Sequence, residues 1–230
     1  MAFVQFGQQI GTAASQITQS CLVPKPQQSG NTNLVLVNYP SGTITVASVT
    51  DTALNNYSAV VGPTRDSSSV STSYMFASYG IQGAGSNTVS VSLSATVTFF
   101  SVFVCEYSGI IGPNGFDVSA GSGGNSAGPA ATSVTTLGAT DQAVMFAIAI
   151  GNNLVSGGNS AGSTQRFNLN NAYGVADYTT SSTGLQNVSW TLIATNSWII
   201  QVAAMKLGQS YNPPQFMFPD SFGVRRIGVT

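Results

Sequence analysis

Asn87-Thr-Val-Ser-Val-Ser-Leu-Ser94 alternates hydroxylated residues with Val89, Val91 and Leu93. Side chains of a strand point to opposite faces with a period of two, so this stretch has one apolar face and one wet face. The apolar face must be buried against a second layer. The same period recurs outward from it. Thr43-Ile-Thr-Val46 alternates, and Leu34-Val-Leu-Val37 is a continuous apolar run, as in a strand covered on both sides. Phe99–Tyr107 and Ala143–Ile150 are runs of the same kind. In the latter, Val144, Phe146, Ile148 and Ile150 share one face, and Ala143, Met145, Ala147 and Ala149 share the other. Gln186–Ala194 and Trp198–Leu207 read as a hairpin joined at Thr195-Asn196-Ser197. Gly and Ser interrupt every longer window and β-branched residues dominate, so helices are not expected. The expected fold is all-β: a two-sheet antiparallel β-sandwich of roughly ten to twelve strands, of jelly-roll type.

A chain of 230 residues, 43% hydrophobic, is long and apolar enough to build one large core. The sandwich domain is assigned to residues 14–207. Residues 1–13 are read as an N-terminal arm and 208–230 as an extended C-terminal arm. Two Gly/Ser-rich stretches, Gly112–Ala131 and Val155–Ser163, read as surface loops, with only Phe116-Asp-Val118 in the first able to pair as a short edge strand. In the C-terminal arm, Pro213, Pro214 and Pro219 prevent a regular helix or central strand. Tyr211, Phe216, Met217, Phe218, Phe222 and Ile227 nevertheless make it too apolar to sit in water. An extended arm laid on another surface fits, either on its own sandwich or on a neighbouring subunit. Arg225 and Arg226 would meet carboxylates or carbonyls of a partner, or form a solvated tail.

Charge is the outlier: only 6% of residues are Asp, Glu, Lys or Arg, against a usual share of about 25%. The surface must be covered by hydroxyls, amides and backbone, which suits an extracellular protein or one packed side by side in an assembly. Six basic residues cannot form the stripe that phosphate binding needs, so no nucleic-acid partner is expected. No apolar stretch reaches the length of a membrane span, so no membrane partner is expected. Met1–Ile10 has neither a basic start nor a long apolar run, and does not read as a secretory signal. An extracellular-looking surface without an export signal is expected of a virus particle component, made in the cytoplasm and released by lysis.

The residue inventory excludes most chemistry. Histidine is absent, which removes the commonest general base and transition-metal ligand. A glycosidase needs two facing carboxylates, yet Asp51, Asp66, Asp117, Asp141, Asp177, Asp220 and Glu106 fall in separate segments with no spacing that marks a pair. A serine nucleophile would have only Lys25 and Lys206 as basic partners. Zinc ligation fails without His and with Cys21 and Cys105 far apart, and no Asp-x-Asp-x-Asp run marks a calcium loop. No catalytic residue, metal or cofactor is expected. Cys21 and Cys105 read as buried small apolar residues, or as a disulfide if their strands are neighbours.

Asp51-Thr-Ala-Leu-Asn-Asn-Tyr57, Asn87-Thr-Val89 and Glu106-Tyr-Ser-Gly109 together resemble a group of bacterial extracellular and phage-encoded β-sandwich domains. The resemblance covers about residues 14 to 150 and implies the fold, without an assigned activity. Read physically, Asp51 and Asn55 close a tight turn on nearby backbone amides. Glu106, the only glutamate, accepts loop N–H groups or pairs with Arg65 or Arg166. All three are read as structural braces. Tyr173 and Tyr178, flanking Asp177, are the candidates for a glycan-binding platform. The functional expectation is a structural virion protein, a capsid or capsid-coating jelly roll of a phage, whose partners are copies of itself and other virion proteins. The alternative is an extracellular glycan-binding or adhesive module.

Overall fold

A computed structural model describes residues 1–208 apart from 69, 113, 128–129, 139–141, 151–153, 157–161, 170–171 and 193, with backbone alone at 142–143, 145–150 and 154–156. The described residues form sixteen strands and no helix, and every ladder is antiparallel. The first eight are β1 (Ala2–Gln9), β2 (Gln16–Val23), β3 (Thr32–Tyr39), β4 (Val46–Asp51), β5 (Ser58–Arg65), β6 (Thr72–Tyr79), β7 (Asn87–Val97) and β8 (Ser101–Ser108). The second eight are β9 (Phe116–Ser126), β10 (Ala130–Thr136), β11 (Gln142–Ile150), β12 (Leu154–Ser156), β13 (Thr164–Leu169), β14 (Tyr173–Thr180), β15 (Gly184–Leu192) and β16 (Asn196–Lys206).

Each half makes a five-stranded and a three-stranded sheet. The first half is ordered β1-β8-β3-β6-β5 and β2-β7-β4; the second is β9-β16-β11-β14-β13 and β10-β15-β12. Counted within its own half, each therefore reads 1-8-3-6-5 and 2-7-4. The same order twice in one chain is an internal repeat. It surfaces in the sequence where β7 and β15 correspond: Thr88-Val-Ser-Val-Ser-Leu-Ser-Ala-Thr96 matches Asn187-Val-Ser-Trp-Thr-Leu-Ile-Ala-Thr195 at five of nine positions.

Strand alternation shows how the sheets stack. On β3, Leu34 and Leu36 join one buried cluster while Val35, Val37 and Tyr39 join another; on β8, Phe103, Cys105 and Tyr107 oppose Val102 and Val104 in the same way. The cluster of Val35 and Val102 is completed by Cys21, Val89, Val91 and Leu93 from β2 and β7, so it fills the space between the two sheets of the first half. Ile200, Val202 and Ala204 of β16 meet Val134, Val188 and Trp190 between the two sheets of the second half. The remaining cluster joins Leu34, Met75, Phe103 and Tyr107 to Phe167, Val175, Ala203 and Met205. It lies between the two five-stranded sheets. The layers run three, five, five and three strands deep, with three cores rather than the single core of a two-sheet sandwich. Continuous apolar runs at β3 and β8 follow from this, because inner strands are covered on both faces.

Several expectations are corrected. Sixteen strands replace ten to twelve, and β4 begins only at Val46, where the alternating stretch from Thr43 ends. Residues 1–13, read as an arm, contain β1, which pairs with β8 at the sheet edge. Most of the loop expected over 112–131 is the eleven-residue β9, paired along β16. Its glycines are there for contact rather than for turning. A Cβ at Gly123 would stand 1.9 Å from the Arg65 carbonyl oxygen, and one at Gly124 would stand 2.4 Å from the Trp198 ring. The hairpin over 186–207 is not formed. β15 pairs with β10 and β12 while β16 pairs with β11 and β9, so the short connector crosses between sheets. Cys21 and Cys105 are free thiols, both buried, on different cores. Burial pushes the Cys21 thiol up to about 12 and the Cys105 thiol higher still.

Candidate functional site

The three motifs quoted above converge at one end of the first half. The β4–β5 turn is closed by Asp51, whose Oδ1 accepts the Asn55 backbone N–H at 2.8 Å. Its Oδ2 accepts from Asn55 Nδ2 and the Tyr57 hydroxyl at 2.8 Å each, and from Asn87 Nδ2 at 2.9 Å. Asn87 also donates to Gln27 Oε1 at 2.6 Å, and Gln27 donates to Asn33 Oδ1 at 2.6 Å. Burial alone would raise the Asp51 carboxyl. Hydrogen bonds from Asn87, Asn55 and Tyr57 outweigh that and hold it below the usual carboxylate range.

Glu106 lies beside this network, opposite Gln5 and Asn33 in the β1, β8 and β3 register. It is fully buried. Oε2 accepts from Gln5 Nε2 at 2.6 Å; Oε1 accepts from Asn31 Nδ2 at 2.6 Å and from the Gln28 N–H at 3.2 Å. Gln5 is itself oriented by the Lys25 backbone, accepting its N–H at 2.9 Å and donating to its carbonyl at 3.1 Å. Amides and a loop N–H, with neither Arg65 nor Arg166, satisfy this carboxylate. The arrangement ties β1, β8 and the loop before β3 into one unit.

Arg166 on β13 pairs instead with Asp177 on β14, through Nε to Oδ2 and Nη2 to Oδ1 at 2.6 Å each. Tyr107 of the first half donates to Asp177 Oδ2 at 3.0 Å. The guanidinium lies 5.2 Å from the Phe3 ring centroid. Hydrogen bonding to Asp177 raises the Arg166 pKa further. Asp177 is buried, and the three residues read as a glycan platform do not share a surface. Tyr173 and Asp177 face the central core, whereas Tyr178 faces the second half's own core, where its hydroxyl donates to Gln186 Oε1 at 3.0 Å. Alternation along β14 separates them, because residues 177 and 178 necessarily point to opposite faces.

The expected assembly arm, Tyr211, Phe216, Met217, Phe218, Phe222, Arg225, Arg226 and Ile227, lies outside the described residues. Among the described residues no three His, Cys, Asp or Glu side chains gather as a metal site. No family model, curated protein or solved structure matches the chain.

Two features escaped the sequence reading. One is the burial of four of the five carboxylates among the described residues: Asp51, Asp66, Glu106 and Asp177 are buried, and Asp117 is half-buried. The other is a cavity at one end of the central stack, bordered by Asp66, Phe99, Tyr173 and Trp198. Neither has a local pattern. Both depend on strands more than thirty residues apart in sequence meeting in space.

Proposed function

We propose that the chain is a structural protein of a virus particle, a phage being the host system that fits best, and that it assembles with copies of itself and other particle proteins. The strand order 1-8-3-6 facing 2-7-4, present in each half, supports reading each half as a jelly roll with its fifth strand moved to the larger sheet. Jelly rolls build capsids and lectins. In this reading the chain performs no reaction, and its place is the virion.

The observation that carries the proposal is the surface. Among the described residues four of the five acidic side chains are buried, and only Lys25 and Arg65 are exposed charges. In place of charge the outer sheet of the first half carries hydroxyl pairs, Thr18 with Ser92 and Ser20 with Ser90 at 2.8 Å each. Leu22, Leu137 and Leu185 stand exposed on it and its counterpart half. A surface without like-charge repulsion lets copies pack closely, and depletion of charge marks the centres of protein interfaces. The apolar residues of the 208–230 arm would supply the anchors.

Sedimentation velocity on the full-length protein at low and high sodium chloride tests this. Apolar contacts are not screened by salt, whereas charge-driven contacts weaken beyond a Debye length. The proposal predicts large species whose fraction holds or grows with salt. A monomer at every salt concentration would contradict it.

A further inference from the structure

The far end of β16, where Met205 pairs with Phe116, borders a groove of about 440 Å³ between the two five-stranded sheets. Ala59 and Val60 of β5, Ala77 and Tyr79 of β6 and Phe116 of β9 line it, with Asn56 and Ser58 at its mouth. The groove exists because β9 covers only part of the β5 edge. From Val60 onward the cover is close. Ser119 Oγ donates to the Val60 carbonyl at 2.6 Å, and Gly121 lies so tightly against Thr64 that no Cβ would fit. Residues 56–59 lie ahead of that cover, and Asn56, Ser58 and Ala59 are exposed. Ala77 is 1% exposed, and Val60 and Tyr79 pack on the central core, yet Phe116 is 38% exposed. The groove is an opening onto apolar core at a sheet edge, the kind of edge that folded proteins cover or that an extended chain joins.

No charged side chain lines it among the described residues, which suits an apolar, uncharged, extended occupant. Residues 211–219, within the arm, are such a segment. They carry no charge, and Phe216 and Phe218, two apart, would share one face of an extended chain. Pro213, Pro214 and Pro219 favour that extended form. Each aromatic side chain seated there would remove roughly 150–250 Å² from water.

The path of the chain decides which copy supplies the segment. Beside the groove, the Lys206 N–H donates to the Gly115 carbonyl at 2.7 Å. The next residues lead away from it: Leu207 bridges to Ile110, and the Gly208 N–H donates to the Gly109 carbonyl at 2.9 Å. Gly109 follows β8 and lies against Met1, near the β1 edge of the sheet, whereas the groove is at the β5 edge. To fill its own groove the chain would have to double back across the end of the sheet, with Pro213-Pro214 resisting the reversal. Residues 209–230 reach about 70 Å when extended, ample for a neighbour.

We infer that the groove receives residues 211–219 of a second copy, with Phe216 and Phe218 seated against Val60, Tyr79 and Phe116. This rests on the assembly reading above and names the contact through which it acts. Groove on one copy and arm on the next make a heterologous contact, which closes into rings or grows into larger assemblies.

The test is photo-crosslinking in the full-length protein, with p-benzoylphenylalanine replacing Ser58 at the mouth of the groove. Unlabelled copies carrying the crosslinker are mixed while dilute with an excess of isotope-labelled wild type, concentrated and irradiated. Mass spectrometry should find the unlabelled β5 peptide joined to a labelled peptide from residues 211–219. Phe218→Asp in the labelled copy, outside the folded strands, should lower that yield by about tenfold or more, the effect of losing one buried aromatic anchor. Light scattering on the same samples reports assembly separately. Arm crosslinks confined to unlabelled pairs, meaning that each arm fills its own groove, would overturn the inference. So would a Phe218→Asp yield equal to wild type. Large species without any arm crosslink would overturn it while leaving the assembly reading standing. Absence of both would sink the two together.

Discussion

The hydroxyl of Tyr107, on β8 of the first half, donates to Asp177 Oδ2, on β14 of the second, at 3.0 Å within the core the two halves share. Arg166 completes the carboxylate from the side, with its own side chain 25% exposed. Removing one partner of a buried pair leaves an uncompensated charge, which is far costlier than the pair is worth. Arg166→Met should therefore destabilise the protein by roughly 2–4 kcal/mol, below the full range for buried pairs because Arg166 is partly wet. Tyr107→Phe should cost about 1–3 kcal/mol, a lost hydrogen bond to a charged group. Urea denaturation measures both. Because the central core draws on both halves, each variant should still unfold in one transition; two separated transitions would mean that the halves are energetically independent.

Glu106 is asked to accept with both oxygens. Oε1 receives Gln28 N–H, which can only donate, and Oε2 receives Gln5 Nε2, whose orientation is set by the Lys25 backbone. A glutamine here would turn an amide toward one of those donors. Glu106→Gln should lower unfolding stability by about 2–3 kcal/mol, though the change is nearly isosteric. A stability within about 0.5 kcal/mol of wild type would show that the network rearranges freely.

Glycine in β9 makes a contrasting prediction. Gly123→Ala would force its methyl into the Arg65 carbonyl, backbone that cannot swing aside. A loss of roughly 1–3 kcal/mol or more is expected from such overpacking. Gly85→Ala, with nothing within 4 Å of the new Cβ, should stay within about 0.5 kcal/mol of wild type. Melting temperatures of the two variants, side by side, separate packing from composition.

The pH dependence follows from Asp51 and the buried tyrosines. Because the folded Asp51 carboxyl sits below its unfolded value, its contribution is present above about pH 3.9 and is lost as pH falls further. The gap in melting temperature between wild type and Asp51→Asn should be flat near neutrality and close in acid. At the alkaline end, burial pushes Tyr79 and Tyr178 up to about 12. Raised values mean that their contribution is intact below about pH 10, where an unfolded tyrosine ionises, and is lost above it. Absorbance at 295 nm should show these phenols ionising late, together with unfolding.

The strands that could be read directly are those whose alternation or apolar runs reflect local burial. β7, with Val89, Val91 and Leu93, and the doubly covered β3 and β8 are of this kind. β9 could not be read, because Gly121, Gly123 and Gly124 carry the composition of a loop while serving close sheet contact. The connector between β15 and β16 looked like a hairpin turn, since its three residues say nothing about which sheet the next strand enters. The repeat was hidden for a similar reason. Val91 became Trp190 and Ser92 became Thr191, which keeps the period while eroding identity. Of the polar residues, Asp51, Asn55 and Glu106 announced themselves through turn chemistry and rarity. Asp66 and Phe99 did not, because the cavity they border is completed only where β14 and β16 arrive from the other half.

Light scattering on the full-length protein, beside a version ending at Leu207, tests the assembly account most directly. The account predicts particles many times the 23.6 kDa chain mass for the full-length protein and monomers of unchanged melting temperature for the truncation. Monomers from both, equally stable, would contradict it.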